Sequence, residues 1–345
     1  MNDAAAGPST SAASIAPPNL LELRDLVTEF HGRRGSIRAN DGVSLAVPRG
    51  ATLGIVGESG SGKSVLCRSI LRLFPPTARV SVSGSILYKG RDLLRLDEAE
   101  MRRLRGTEIR MVFQNPMTSL NPVWPIGDQI TEGLRVHGGL SQRAARARGV
   151  NLLQRVGIPS PERRVDEYPH QWSGGMLQRA VIAMAMAAEP HLLLADEPTT
   201  ALDVTIQDQI LALLLELQER TGMTLILVSH DLAIVAETCD RVAVMYAGRV
   251  VETAPTPTLF AAPKHPYTAG LLNSIPHRAS GQERLEPIRG QPPDLARLPP
   301  GCPFAPRCAV ASPDCATTPV RLAHAGTDQL TACLYPERVR GGLAA

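Results

Sequence analysis

Eight consecutive residues, Gly57-Glu58-Ser59-Gly60-Ser61-Gly62-Lys63-Ser64, constrain this chain more than any others. They fit G-x-x-x-x-G-K-[ST] and follow Thr52–Val56, a run with the composition of a buried strand. From Ser64 to Phe74 the apolar spacing is helical, and it stops before Pro75-Pro76. A strand, a glycine-rich loop and a helix in that order can wrap backbone N–H groups around β- and γ-phosphates, where larger side chains would block them. The loop also feeds a helix N-terminus, which favours anions. Lys63 is suited to the terminal phosphates and the Ser64 hydroxyl to Mg²⁺. The motif predicts a nucleotide-binding protein without saying which kind.

A second feature adds chemistry. Leu192-Leu193-Leu194-Ala195 reads as a buried strand, and it ends in two adjacent carboxylates, Asp196 and Glu197. At a strand end Asp196 can hold the Mg²⁺ that Ser64 also touches, and Glu197 is placed to polarise an attacking water as general base. A solvated surface pair would rarely follow four apolar residues. His230 comes just after the strand pattern Thr224–Val228 and Ser229, and Gln114 just after Met111-Val112-Phe113. Open α/β sheets bind ligands at such strand ends.

Around these motifs the chain predicts an α/β fold. Leu21–Phe30 alternates as a half-buried strand does, and Val43–Val47 reads as a second strand ahead of the turn Pro48-Arg49-Gly50. The middle is mostly helical. From His191 onward strands and helices alternate: Leu192–Ala195, Val204–Arg220, Thr224–Val228, Leu232–Thr238 and Arg241–Tyr246. That alternation predicts a parallel sheet covered by helices, with a helical insertion over about 115–188. Near Pro263 periodicity fades and Pro, Arg and Cys become frequent. The expected division is a disordered tail over 1–19, one domain over 20–262 and a C-terminal region over 263–345.

The tail carries no basic start and no apolar core, so no secretory signal is expected in it. The longest apolar run, Ala180–Ala195, is broken by Glu189, Pro190 and His191, and a spanning helix needs about 20 apolar residues. A soluble cytoplasmic chain is expected. A net charge of +3 gives no argument for nucleic acid.

The segment Gln171-Trp172-Ser173-Gly174-Gly175-Met176-Leu177-Gln178-Arg179 resembles the signature motif of ABC ATPases. Its hydroxyl, bare amides and helix N-terminus form a second anion cradle. The resemblance implies that Ser173, Gly174 and Gly175 meet the ATP of a second subunit packed head to tail. It implies also that Gln114 is the Q-loop glutamine, able to meet water or metal, that Asp203 belongs to the D-loop, and that His230 is the switch histidine. Trp172 and Met176 depart from the commonest pattern, which has Leu and Gln there. Phe30, the only aromatic ahead of the phosphate loop, stands where the family keeps a ring that stacks on adenine; a core phenylalanine is the other reading. The implied fold is the P-loop NTPase ABC cassette. It has a RecA-like core sheet, a small antiparallel β subdomain and an inserted helical subdomain, here with a small irregular Cys-rich C-terminal region.

Phe113–Pro122, Tyr168–Gly175 and His265-Pro266-Tyr267-Thr268 are similar to the ATP-binding subunits of dipeptide and oligopeptide importers, a branch that includes nickel and glutathione importers. The similarity runs from about Leu20 to Pro336. It implies an ATPase that drives uptake from the cytoplasmic face of the cell inner membrane. The implied partners are a second ATPase subunit, identical or not, two membrane permease subunits and, indirectly, an extracytoplasmic solute-binding protein; no nucleic acid is expected. A soluble ABC ATPase acting on ribosomes or DNA is opposed by the single cassette and by the short span from Gln114 to Ser173. A binder that does not hydrolyse is opposed by Glu197.

Six cysteines remain. Cys67 and Cys239 sit in apolar patterns and read as buried thiols. Cys302-x5-Cys308-x6-Cys315-x17-Cys333 gathers four in the tail. Disulfides are disfavoured in a reducing cytoplasm, so the quartet can hold Zn²⁺ or an iron–sulfur cluster, or stay free. It lacks the C-x2-C knuckles of structural zinc sites. The tail resembles the C-terminal region of peptide importers, which implies a [4Fe–4S] cluster.

Overall fold

The computed structural model describes residues 19–33, 35–200, 202–274 and 288–339. The tail expected over 1–19 lies outside the described residues except for Asn19, which opens β1 (Asn19–Gly32). That strand pairs antiparallel with β2 (Gly35–Pro48), with Leu23 opposite Leu45 and Phe30 opposite Ile37. The second strand starts well before Val43, because hydrogen bonding to β1 carries its exposed first half where apolar alternation is missing. Next comes β3 (Thr52–Val56), buried along its whole length, and then α1 (Lys63–Leu71), which ends sooner than its spacing suggests because Arg72 turns left-handed at φ 52°. β4 (Val80–Tyr88) and β5 (Arg91–Asp92) complete a four-stranded antiparallel sheet in the order β2-β1-β4-β5.

α2 (Glu98–Thr107) starts at a capping box formed by Asp97 and Glu100, and it leads into β6 (Ile109–Val112). A run of helices follows: α3 (Pro116–Ser119), α4 (Ile126–Gly138), α5 (Gln142–Arg155), α6 (Pro161–Arg164) and α7 (Gly174–Met186). The chain then alternates through β7 (Leu192–Asp196), α8 (Val204–Thr221), β8 (Thr224–Ser229), α9 (Leu232–Thr238) and β9 (Arg241–Tyr246). β10 (Arg249–Pro255), α10 (Thr256–Ala261), α11 (Pro266–Asn273), β11 (Ala323–Gly326) and β12 (Gln329–Thr331) complete the described elements.

The larger sheet runs β11-β12-β10-β9-β3-β8-β7-β6. It is parallel from β9 to β6 and antiparallel from β9 to β11, so the expectation of a parallel sheet covers only part of it. The cause is local. Ala247 and Gly248 both take positive φ, 49° and 79°, and form the tight hairpin that turns β10 back on β9. The C-terminal region expected to be irregular also supplies β11 and β12, so strands from beyond Pro263 pair with one from before it.

Alternate residues of the central strands enter two cores. Leu193, Ala195, Leu225 and Leu227 face the helices, packing with Ile130, Leu152, Ile182 and Ile210. Leu192, Leu194, Ile226 and Val228 face the other way, toward Leu66 and Ile70 of α1 and Leu21, Val43 and Ile86 of the antiparallel sheet. A sheet buried on both faces exposes its chemistry only at strand ends. The phosphate loop, Asp196-Glu197, His230 and Gln114 follow the C-terminal ends of β3, β7, β8 and β6, on one edge. Among the described residues no helix is long and apolar enough to cross a membrane.

Candidate nucleotide site

The phosphate loop is built so that side chains stay out of it. Gly62 sits at φ 99°, and a Cβ there would come within 2.3 Å of the Ala39 carbonyl oxygen. At Gly57, φ 151°, it would come within 2.2 Å of the Met245 oxygen. Ser59 and Gly60 are exposed at the tip. Gly62 is the N-cap of α1 and offers no side-chain cap, so the first N–H groups of that helix remain open to an anion. The buried Ser61 Oγ has no hydrogen-bond partner. Lys63, 5% exposed, donates to the carbonyls of Gly57 at 2.8 Å and Glu58 at 3.1 Å. Burial lowers the pKa of its ammonium, and the carboxylates of Glu197, Asp196 and Glu58 oppose that shift. An orphaned hydroxyl, open helix amides and a buried cation suit a polyphosphate.

Ser64 Oγ donates to Asp196 Oδ1 at 2.8 Å, the pairing that Mg²⁺ would replace. Burial pushes the Asp196 carboxyl up, the Ser64 hydrogen bond opposes this, and the neighbouring Glu197 adds to the rise. Glu197 takes φ 46°, a left-handed conformation that costs a non-glycine residue roughly 1–2 kcal/mol. Its carboxylate stands among several predicted site residues. Oε2 accepts from Gln114 Nε2 at 2.9 Å and from Thr200 Oγ1 at 3.0 Å, and it lies 3.6 Å from His230 Nδ1. Oε1 lies 4.0 Å from Lys63 Nζ. Sequence reasoning missed Thr200; its position three residues after the carboxylate is the signal that could have found it. The arrangement can orient a water, hold its proton and neutralise phosphate charge.

Other predicted residues stand apart. Ser173 caps α7, its Oγ accepting from Met176 N at 3.4 Å, and Ser173 and Gly174 are exposed. Asp203 caps α8, accepting from Ile206 N at 3.0 Å. The unusual Trp172 is buried, with its indole N–H on Glu167 Oε2 at 3.0 Å. Phe30 is half-buried and packs edge-on against Phe74, ring centres 5.9 Å apart, beside the exposed Ile37 across the hairpin.

Cys67 and Cys239 are buried, as their patterns suggest. Cys302, Cys308, Cys315 and Cys333 line one cavity together with His265, Phe304 and Tyr335. Burial pushes the Cys302 and Cys308 thiols up, and Cys333 up to about 11. The cavity measures about 20 Å³, room for a water molecule. Among the described residues no group of three or more His, Cys, Asp or Glu side chains stands in metal-holding geometry. Four thiols converging on one cavity are a donor set that suits a metal centre.

A phosphate loop on the strand-end edge of this sheet, flanked by an antiparallel sheet and a helical insertion, defines an ATPase of the ABC cassette class. Comparisons agree. Residues 40–200 match the family described as ABC transporter, and residues 251–315 the oligopeptide/dipeptide transporter C-terminal region. The probable peptide ABC transporter ATP-binding protein y4tR of Sinorhizobium fredii is 53% identical over 293 residues, covering 85% of this chain and 88% of the relative. The oligopeptide transport ATP-binding protein OppD of Bacillus subtilis is 53% identical, over 86% of this chain and 83% of the relative. Its dipeptide counterpart DppD is 51% identical, over 84% and 86%. The solved dimer of the ATP-binding cassette MJ0796 in a post-hydrolysis state, bound to ADP and Pi, is similar with a TM-score of 0.61 and 29% identity, covering 68% of this chain and 98% of that one. CbiO1 of Clostridium perfringens follows at TM-score 0.59 and 31% identity, over 70% and 91%. The chain belongs to the ABC transporter family, among the ATP-binding proteins that carry the oligopeptide/dipeptide transporter C-terminal region.

Proposed function

We propose that this chain is the subunit that binds and hydrolyses Mg-ATP to drive uptake of dipeptides or oligopeptides across the cytoplasmic membrane. The observation that carries the reading is identity of 51–53%, over more than four-fifths of the chain, to proteins named for peptide, oligopeptide and dipeptide transport. The chain would act peripherally at the cytoplasmic face, against two permease subunits supplied by an extracytoplasmic solute-binding protein. A second ATPase subunit, identical or not, would pack head to tail, so that Ser173, Gly174 and Gly175 of one subunit close on the ATP held by the other. Exposure of Ser173 and Gly174 at the start of α7 supports that closure. The exposed Met117, Val123, Trp124 and Val136, in the segment after Gln114, support docking to a permease.

In this reading the division into 20–262 and 263–345 is functional, the first part carrying the ATPase chemistry. Lys63 leaves the Gly57 and Glu58 carbonyls for the β- and γ-phosphates. Ser64, Asp196 and Gln114 would hold Mg²⁺, which when bound neutralises phosphate charge. Glu197 accepts a proton from the water that attacks the γ-phosphorus, the bond to the β-bridging oxygen breaks, and ADP and phosphate result. His230, near Glu197, adds a contact to the γ-phosphate, and Asp203 lies at the subunit junction. Phe30, with Ile37 beside it, offers the adenine an apolar face. Loss of the γ-phosphate removes the contacts that favour the closed dimer, and the pair reopens.

The same reading gives Cys302, Cys308, Cys315 and Cys333 to a [4Fe–4S] cluster, and their convergence on one cavity supports it. Anaerobically purified protein without stoichiometric iron would remove this part.

Uptake of labelled dipeptides, oligopeptides and Ni²⁺ by cells whose only copy carries Glu197→Gln tests the whole. Selective loss of peptide uptake is the expected result. Intact peptide uptake, with no redundant importer present, would overturn the assignment of solute.

A further inference from the structure

Arg307 lies between Cys302 and Cys308, far from the phosphate loop in sequence, yet its side chain ends on that loop. It is 6% exposed and forks onto Glu58, with Nη1 at 2.6 Å from Oε2 and Nη2 at 2.9 Å from Oε1. Three further contacts hold the guanidinium. Nε donates to the Arg289 carbonyl at 2.9 Å, Nη1 to Tyr246 Oη at 3.2 Å, and Nη2 to the Gly290 carbonyl at 3.4 Å. The rings of Tyr246 and Phe304 stand within 5.8 and 5.9 Å of it. The backbone of the same loop residue is held too, since Glu58 N donates to Tyr267 Oη at 2.8 Å. Tyr267, Tyr246 and Phe304 pack on one another with ring centres 4.6–5.3 Å apart.

Glu58 is thus anchored at both its amide and its carboxylate by two groups outside the loop, Tyr267 and Arg307, both from beyond Pro263. Its remaining backbone group, the carbonyl, accepts from Lys63 Nζ at 3.1 Å and Ser61 N at 3.2 Å. A carboxylate in this loop works against its purpose, because the loop receives several negative charges and an uncancelled anion there would repel them. A forked arginine cancels that charge and fixes its direction at once.

We propose that Arg307 is a positioning residue for nucleotide binding. By pairing with Glu58 it cancels the one carboxylate of the phosphate loop and holds the loop in its receiving shape. The affinity of the ATP site thereby depends on the cysteine-bearing segment that carries Arg307. This inference rests on the reading of Gly57–Ser64 as the nucleotide site.

The test is titration calorimetry of the full-length chain with Mg-ATP, alongside Arg307→Gln, Glu58→Gln, the double variant and Lys63→Ala. Arg307→Gln leaves a half-buried carboxylate unpaired and is expected to weaken binding by about tenfold or more. Adding Glu58→Gln removes that carboxylate and is expected to restore most of the loss, which a merely structural arginine would not allow. In the assembled transporter, Arg307→Gln is expected to raise KM for ATP with kcat at saturation kept. Native affinity in Arg307→Gln, or a double variant as weak as the single one, would overturn the proposal. If Arg307→Gln does not fold, Glu58→Gln alone decides: binding at least as tight as native supports the proposal, and weaker binding overturns it. Native protein that fails to bind Mg-ATP, or binds no better than Lys63→Ala, would instead remove the underlying site.

Discussion

The side-chain amide of Gln114 donates to Glu197 Oε2 at 2.9 Å, joining the segment that enters the helical insertion to the carboxylate beside the phosphate loop. The contact spans two different strand ends, those of β6 and β7, so any shift of the insertion relative to the sheet is felt at Glu197. Gln114→Ala is expected to lower ATP turnover by about tenfold, the usual scale for a hydrogen bond to a charged group. Affinity for ATP without Mg²⁺, which the loop and Lys63 would carry, should stay near native, because Gln114 would touch only the metal and the water. Turnover and binding measured together check this, and a loss confined to binding would contradict it.

Gly62 and Gly60 both take positive φ, 99° and 81°, but only Gly62 has a neighbour in the way of a side chain. Gly60→Ala carries the left-handed penalty alone, about 1–2 kcal/mol. Gly62→Ala adds a contact of 2.3 Å with the Ala39 oxygen, so its unfolding midpoint is expected to fall clearly further. Equal midpoints for the two variants in thermal unfolding would contradict the packing described for the loop.

His265 is buried, with Nδ1 accepting from Tyr267 N at 3.1 Å, and burial pushes its pKa down to about 3. An unfolded histidine titrates near 6.5, so the unfolded chain takes up a proton that the folded one refuses. The neutral ring's contribution is complete above pH 6.5 and is lost as pH falls from there toward 3. Asparagine at this position can still cap α11 but does not titrate. Between pH 6.5 and 5 the native chain is therefore expected to lose about 1 kcal/mol per unit relative to His265→Asn in urea unfolding, the slope steepening as pH falls. Parallel pH slopes would contradict this.

Much of this site is legible in the sequence because it is local. Gly57–Ser64 carries its own geometry, and the buried runs Thr52–Val56 and Leu192–Asp196 mark strand ends without any knowledge of their neighbours. The helices Val204–Thr221 and Leu232–Thr238 follow closely from the apolar pattern. What fails to show is what depends on distant pairing. Ala323–Gly326 and Gln329–Thr331 are short and carry no apolar alternation, and they become strands only because β10 offers a free edge. Arg307 reads as one basic residue among many until folding brings it to Glu58, 249 positions away. Tyr267, on the Glu58 amide, is hidden for the same reason.

The central claim is that Glu197 is the general base of an ATPase that drives transport. The most direct test is steady-state hydrolysis of Mg-ATP by the assembled transporter carrying Glu197→Gln, with nucleotide binding measured on the same preparation. The account expects turnover to fall by about 10²–10⁴-fold while Mg-ATP still binds. Turnover close to native, with binding intact, would contradict it.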